Sequence, residues 1–291
     1  LKIAVLGSSG MLGSAAFKYL SDRFPGSVYA TARSSAVKKI FPASAANITI
    51  GIDVENTDAL AGFLRDVRPD VILNCIGVVK QLASAEDPLV AIPINAILPH
   101  RLARLADLVG ARLIHVSTDC VFTGRKSSYR ESDAPDAEDL YGRSKLLGEV
   151  DYPNAVTLRT SIIGREIGSR NGLVEWFLSQ SGSVRGYRRA IFSGLTTDEL
   201  VRVIADRVLP NPSLRGVYHV SVDPISKFDL LGIVRDVYGV GIEIEPDDAV
   251  AIDRSLNSDR FRAATGYVPP SWPDLIRNMR RFDEESFSQV R

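Results

Sequence analysis

The sequence predicts an α/β fold of the Rossmann type, a doubly wound parallel sheet with helices on both faces, and three observations predict it. Short runs rich in Val, Ile, Leu and Thr alternate with amphipathic segments through the first half of the chain. Three evenly spaced glycines, Gly7, Gly10 and Gly13, follow the first such run and open the first helix. The 291 residues are 45% hydrophobic, enough for the core of one large or two intertwined globular units.

Strands are expected at Lys2–Leu6, Val28–Ala32, Ile48–Ile52, Val71–Cys75, Arg112–Ser117 and Val156–Thr160. Helical periodicity fills most of the intervals, including Asp58–Val67 and Leu98–Val109. The second half is less regular. Thr196–Val208 reads as a helix, with Thr196 and Glu199 spaced as a capping box ahead of Leu200, Val203, Ile204 and Val208. Gly216–Val222 reads as a strand, Ser226–Tyr238 as a helix opened by Ser226 and Asp229, and Trp272–Phe282 as a closing helix. Pro210, Pro212, Pro269 and Pro270 punctuate these elements, and no repeat or low-complexity segment appears.

Charge and composition narrow the function classes. Thirty-five basic residues balance 35 acidic ones without a dense basic block, so the electrostatic footprint of a nucleic-acid binder is missing. No apolar run approaches the roughly 18 residues of a membrane span, and the chain opens on a strand without a charged lead, so a cytoplasmic location is expected. Cys75 and Cys120 lie in no metal-type spacing and read as reduced, partly buried thiols. His100, His115 and His219 are equally scattered, and no metal site is expected.

A glycine turn between strand and helix lets the backbone bend tightly, brings its N–H groups against a pyrophosphate and packs the helix closely on the sheet. Its spacing here is G-x-x-G-x-x-G rather than the commoner G-x-G-x-x-G, and a ligand-free structural turn is the plain alternative. At the end of the second strand stands Arg33, followed by Ser34 and Ser35, where an acid would otherwise bind a ribose 2′-hydroxyl. That favours NADP(H), with NAD(H) as the alternative. Asp53, after the third strand, suits the adenine edge or, equally, an N-cap of the next helix.

The second constellation is His115-Val-Ser-Thr-Asp-Cys-Val-Phe-Thr-Gly124 followed by Asp139-Leu-Tyr-Gly-Arg-Ser-Lys-Leu-Leu-Gly-Glu149. Thr118 falls at the carboxyl end of a strand, the edge where open α/β sheets bind ligands. Tyr141 begins a helix, and Lys145 shares its face four positions on. A phenol with a pKa of about 10 exchanges protons poorly near neutrality, and a neighbouring ammonium would favour its phenolate. With Thr118 on the same oxygen, the three could donate a proton to a ketone as hydride arrives, or run the reverse. Ser117 points to the other face because strand side chains alternate.

These motifs make the chain resemble the extended short-chain dehydrogenase/reductase superfamily and, within it, the dTDP-4-dehydrorhamnose reductase family, nearly end to end. Matching segments are Gly7-Ser-Ser-Gly10-Met-Leu-Gly13, Asn74-Cys75-Ile76-Gly77, Asn95, Ser117-Thr118-Asp119-Cys120-Val121-Phe122, Tyr141-Gly-Arg-Ser-Lys145-Leu-Leu-Gly-Glu149 and Leu158-Arg159-Thr160-Ser161. The resemblance implies a cofactor domain over 1–160 with return segments around 190–222, and a substrate domain from 161–189 and 223–291. It implies cofactor contacts from Gly7, Ser9, Gly10, Met11, Leu12, Gly13, Arg33, Ser34, Asp53, Val54, Cys75, Ile76, Gly77, Asn95, Tyr141 and Lys145. Substrate contacts implied are Thr118, Asp119, Cys120, Asn171, Leu195, Thr196 and Arg254. Two departures stand out: Leu195 replaces a proline usual before Thr196, and Val78-Val79-Lys80-Gln81 follows the fourth strand. Lys80 could meet a substrate anion or be a solvated loop lysine.

The expected activity is an NADPH-dependent reduction of a nucleotide-linked 4-keto-6-deoxysugar in deoxysugar biosynthesis. A dehydratase lacks the second acid after Asp119, where Cys120 stands, and an epimerase would show the acidic ribose contact that Arg33 replaces. A non-catalytic NADP-binding regulatory subunit, resembling that of methionine adenosyltransferase, is the alternative of another class. The partners expected are a nucleotide-sugar substrate and a second copy in a homodimer, with no nucleic acid and no membrane.

Overall fold

Strands covered on both faces by helices must be apolar throughout rather than alternating, and the first, fourth and sixth strands are buried at every residue. The computed structural model describes residues 1–168 and 170–288. Its main sheet contains β1 (Ile3–Leu6), β2 (Val28–Ala32), β3 (Ile48–Ile50), β4 (Val71–Asn74), β5 (Arg112–Thr118), β6 (Ala155–Thr160) and β7 (Gly216–His219). These pair in parallel in the order β7-β6-β5-β4-β1-β2-β3. The expected strands are all present. β3 stops two residues early because Gly51 takes a left-handed conformation (φ 78°), and β5 runs one residue further to include Thr118.

Helices cover both faces. On one, α1 (Met11–Arg23) packs Phe17 and Leu20 into a cluster with Val5, Ala30 and Leu73. On the other, α2 (Thr57–Val67) and α3 (Leu98–Val109) bury Leu60, Leu64, Leu102 and Ala106 against Leu6 and Ile72. Each such fully buried Leu, Ile, Val or Phe side chain contributes about 1.5–3 kcal/mol of transfer free energy. The Asn56 side chain caps α2 by accepting from Ala59 N at 3.1 Å, whereas Asp53 turns back on Glu55 N at 3.0 Å. Asp53 is therefore not the N-cap its position suggested.

The second half assembles from short pieces that periodicity does not reveal. Ile162–Ile163 pairs with Leu195–Thr196, Ser183–Tyr187 pairs with Glu243–Asp247, and Ala190–Phe192 lies between Ile225–Ser226 and Ile252–Asp253. The expected helix over 196–208 is α5 (Thr197–Val203) continued by a wider π turn, Ile204–Val208. Its capping box does not form: Thr196 makes no side-chain cap bond, and Glu199 instead accepts from Tyr267 Oη at 3.2 Å. Helix α6 (Lys227–Tyr238) starts as expected, with Ser226 Oγ accepting from Asp229 N at 3.0 Å.

Helix α7 (Trp272–Phe287) extends five residues past its expected end. That extension sets Phe287 against Phe41, which packs edge-on against Phe17, so the closing helix returns to the core beside α1. Among the described residues no helix is long and apolar enough to cross a membrane.

Candidate active site

The glycine turn lies where β1 ends, beside the point at which strand order reverses between β1 and β4, the place where such sheets hold ligands. Gly7 has a φ of 86°, and Gly10 N donates back to Gly7 O at 3.1 Å. A Cβ on Gly13 would stand 2.0 Å from Gly7 O, so only glycine lets α1 approach this closely. Gly10 caps α1 without a side-chain bond. Amides at that helix end, with the positive end of its dipole, are therefore free for an anion such as a diphosphate. Ser9 and Gly10 are exposed and Met11 half-buried, while Leu12 is buried in the core and offers the cleft only its backbone.

Around this turn, Arg33 is exposed just past β2 and joins no ion pair among the described residues. Ser34 Oγ is occupied locally, accepting from Ala36 N at 3.2 Å. Asp53 is exposed and Val54 half-buried beyond β3. After β4, Ile76 presses on the turn, 2.8 Å from where a Gly7 Cβ would stand, and burial pushes the Cys75 thiol up to about 12. Asn95 sits in a single π turn, Ile92–Ile97, ahead of α3. Its amide joins Val78 N and O at 3.0 and 3.2 Å and Ser144 Oγ at 3.3 Å, so the side chain ties loop to helix.

Tyr141 and Lys145 lie on α4 (Leu140–Leu147), whose start is set by a residue the sequence reading passed over. Asp139 Oδ1 accepts from Gly142 N at 2.7 Å, and its other oxygen pairs with Lys80 Nζ at 2.6 Å. Lys80 is thus a solvated loop lysine, as one of the two readings had it, and pairs with Asp139 at the surface. Asp139 was visible as an Asp two positions before Tyr141, a common N-cap arrangement. Gly142 lets α4 settle onto the end of β5, since a Cβ there would meet Cys120 O at 2.3 Å.

The structure brings Thr118, Tyr141 and Lys145 together at the carboxyl edge of β5. Thr118 Oγ1 accepts from Cys120 N at 3.1 Å and donates to Asp119 Oδ1 at 3.2 Å, and it also draws the Tyr141 pKa downward. Burial outweighs that contact and raises the phenol above its ordinary range. Tyr141 is therefore protonated at neutral pH, with Lys145 one helical turn further along the same helix. The buried Lys145 Nζ donates to Val116 O at 2.9 Å. Desolvation lowers its pKa to about 8, partly offset by Glu149.

On the side facing the second half, Asp119 is buried, and its raised pKa is moderated by Arg254 and Lys227. Arg254 Nε donates to Phe122 O at 2.8 Å and so borders Asp119, Cys120 and Asp139. Burial pushes the Cys120 thiol up to about 12, so it offers no nucleophilic thiolate. Asn171 is exposed, its backbone held by Glu166 Oε2 at 2.7 Å. Leu195 departs from expectation: pairing with Ile162 drives its side chain fully into the core, where it cannot line a pocket. Thr196 is likewise fully buried. Among the described residues no cluster of His, Cys, Asp and Glu could hold a metal ion.

Residues 1–273 match the model of the family described as RmlD substrate binding domain. Methionine adenosyltransferase 2 subunit beta of Danio rerio is 28% identical over 256 residues, covering 82% of this chain and 74% of that protein. A dTDP-4-dehydrorhamnose reductase of Aggregatibacter actinomycetemcomitans is 24% identical over 309 residues, covering 97% and 99%. In three dimensions the chain is similar to the crystal structure of dTDP-4-dehydrorhamnose reductase from Bacillus anthracis in complex with NADP. The TM-score is 0.78 at 22% identity, covering 96% of this chain and 98% of that one. With the glycine turn, the Thr118 edge and the Tyr141–Lys145 helix all inside the matched span, the chain belongs to the RmlD substrate binding domain family.

Proposed function

We propose that this protein is an NADPH-dependent reductase of a nucleotide-linked 4-keto-6-deoxysugar, of the dTDP-4-dehydrorhamnose reductase type. The observation that carries the reading is the convergence of Thr118, Tyr141 and Lys145 at one strand edge beside an uncapped glycine turn. The reductase relative that spans the whole chain, and the similar structure holding NADP, support it.

The cradle fits the cofactor: Gly7, Gly10 and Gly13 admit a diphosphate at the start of α1, and Arg33 faces solvent where a 2′-phosphate would lie. NADPH supplies the hydride when bound. Tyr141, kept protonated by burial, donates its phenolic proton to the oxygen of the reduced ketone. Thr118 orients that oxygen with its hydroxyl. Lys145, cationic below about pH 8, offsets the phenolate left behind and holds the site's geometry through Val116 O. Asp119 and Arg254, with Asn171 further out, form the substrate side, assigned to the unit of 161–189 and 223–291. The single acid after Thr118, with Cys120 next, argues against dehydration.

Purified protein should consume NADPH with a freshly generated dTDP-4-keto-6-deoxysugar. Tyr141→Phe should lower turnover by about 10²–10⁴ while NADPH still binds. Near-normal turnover by that variant would contradict the mechanism. The similarity to methionine adenosyltransferase 2 subunit beta favours a second reading, a non-catalytic NADP-binding subunit. No turnover with any such sugar, together with co-purification of a larger partner, would establish it. A homodimer belongs to the proposal as well. Exposed Leu89, Ile97 and Leu147 on neighbouring helical segments beside the site support it, and sedimentation at micromolar concentration tests it. A cytoplasmic location also belongs to the proposal, with cell fractionation as its test.

A further inference from the structure

We propose that Glu149 is the positioning residue that keeps Lys145 an ammonium ion, and that a buried Arg159–His219 relay fixes Glu149 from the segment bearing Arg254. The proposal deepens the reductase reading and rests on it only for the role of Lys145.

Glu149 lies one helical turn beyond Lys145, just past the end of α4. Its side chain is 6% exposed, and its carboxylate accepts three hydrogen bonds. Ser117 Oγ donates to Oε1 at 2.7 Å, Arg159 Nε to Oε1 at 2.8 Å and Arg159 Nη2 to Oε2 at 2.5 Å. Such a forked pair, with the Ser117 hydroxyl beside it, fixes the carboxylate in place. Ser117 points here because it faces away from Thr118, so one strand end serves both sides of the site.

The relay continues outward. Arg159 Nη1 lies 2.8 Å from His219 Nε2, and His219 Nδ1 lies 3.0 Å from Tyr129 O. A guanidinium can only donate, so Nε2 accepts and Nδ1 carries the proton that Tyr129 O receives. His219 is fully buried, and desolvation and Arg159 lower its pKa to about 3, so it stays neutral. Tyr129 O also accepts from Asn257 N at 2.7 Å, and Tyr129 N donates to Ser255 O at 2.9 Å. The residues flanking Arg254 are thereby joined to the carboxylate behind Lys145 by consecutive buried contacts.

Other groups facing Lys145 do not share this task. His115 approaches from β5, held neutral by burial, with Nδ1 3.1 Å from Asn74 Nδ2. Tyr141, one turn earlier on the same helix, is a neutral phenol, and Gly77 with the Asn95 amide closes the loop side. Among the described residues, Glu149 is the acid that raises the Lys145 pKa. A buried ion pair brings little net stability over apolar packing. This pair, one helical turn past Lys145 and anchored on Ser117 beside the Val116 carbonyl that Lys145 meets, is accounted for by what Glu149 does to that lysine.

The test is an NMR pH titration of Lys145 in the full-length protein carrying ¹³Cε-lysine, its signal assigned by loss in Lys145→Met. The native pKa should be about 8. Glu149→Gln should lower it by about 1 unit or more, since a facing opposite charge is lost. That variant strands the buried Arg159 charge and can fail to fold, so Glu149→Gln/Arg159→Met is measured beside it and should show a smaller fall in the same direction, because the cation that opposes Glu149 is removed with it. Ser117→Ala strips a hydrogen bond but keeps the charge, and should leave Lys145 near about 8. With substrate, the alkaline limb of kcat/KM should move down with the titration. An unshifted Lys145 in the double variant would overturn the proposal. So would a fall in Ser117→Ala as large as that in Glu149→Gln. The titration needs no turnover, so a failure of the reductase reading is distinguishable from a failure of this one.

Discussion

Two glycines inside helices give opposite predictions for the same substitution. In α1, a Cβ at Gly13 would sit 2.0 Å from Gly7 O and 2.7 Å from Gly7 C, about 1 Å inside the 3.0 Å that Cβ contacts respect. Its neighbour is backbone in a positive-φ turn, so the strain cannot be relieved by rotating a side chain. Overpacking of this kind costs about 1–3 kcal/mol, against which the helical preference for Ala returns about 0.5–1 kcal/mol. In α2, Gly62 has no atom within 4 Å of its Cβ position, so Gly62→Ala keeps the whole preference as a gain. Urea unfolding should therefore show Gly13→Ala destabilised and Gly62→Ala stabilised by about 0.5–1 kcal/mol. If the turn opens by about 1 Å to admit the methyl, the amides facing the diphosphate are displaced, and a misplacement of that size can cost about 10²-fold. Fluorescence titration should then show NADPH affinity reduced by that order in Gly13→Ala and unchanged in Gly62→Ala. Native stability together with native NADPH affinity in Gly13→Ala would refute both the close approach and the assignment of the turn.

Arg33→Ala should weaken NADPH by about 10- to 100-fold and NADH far less, because a charge-assisted contact to phosphate contributes about 1.5–3 kcal/mol; equal losses in competitive titrations would remove Arg33 from the site. Asp139→Ala should lower stability by about 1 kcal/mol and slow turnover by misplacing Tyr141, whereas Asp139→Asn, which can still cap Gly142 N, should restore the melting temperature. His219 titrates at about 3 in the folded chain against 6.5 when unfolded. Below pH 6.5 the unfolded chain takes a proton that the folded one refuses, so stability is lost as pH falls toward 3. The loss at pH 4.5 is about 2–3 kcal/mol. His219→Gln should show an acid loss smaller by that amount in urea midpoints at pH 7 and 4.5, and an equal loss would show that another group carries it.

The sheet was legible because each strand is a short run rich in Val, Ile, Leu, Ala and Thr set between helical segments, and the catalytic set because its spacings are local. Tyr141 and Lys145 are one helical turn apart, and Thr118 marks the end of a strand already recognised. Capping was read less well. At Asp53, Thr196 and Asp139 the sequence offers a capping residue type, but which amide its side chain accepts from depends on how the chain enters the helix. The short strands of the second half escape for a different reason. Ser183–Tyr187 finds its partner in Glu243–Asp247 and Ala190–Phe192 in Ile252–Asp253, segments about sixty residues away. Pairing of that reach leaves no periodic trace. Leu195 illustrates the consequence, since a turn expected to face the substrate is pulled inward by its pairing with Ile162.

Charged residues give the hardest case. A sequence reading assigns Glu, Arg and Lys to the surface, because they are almost never fully buried unless paired. Glu149, Arg159 and Lys145 break that rule together, and the partners that permit it come from β5, β6, β7 and the end of α4. No one of them is anomalous in sequence, since Glu149 reads as an ordinary helix-terminal acid and Arg159 as a strand residue beside Leu158. Their burial becomes intelligible only once the sheet order sets β6 between β5 and β7, bringing Ser117, Arg159 and His219 side by side. Tyr141 and Lys145 could therefore be named from local spacing, whereas the groups that set the protonation of Lys145 follow from strand order, which spacing does not encode.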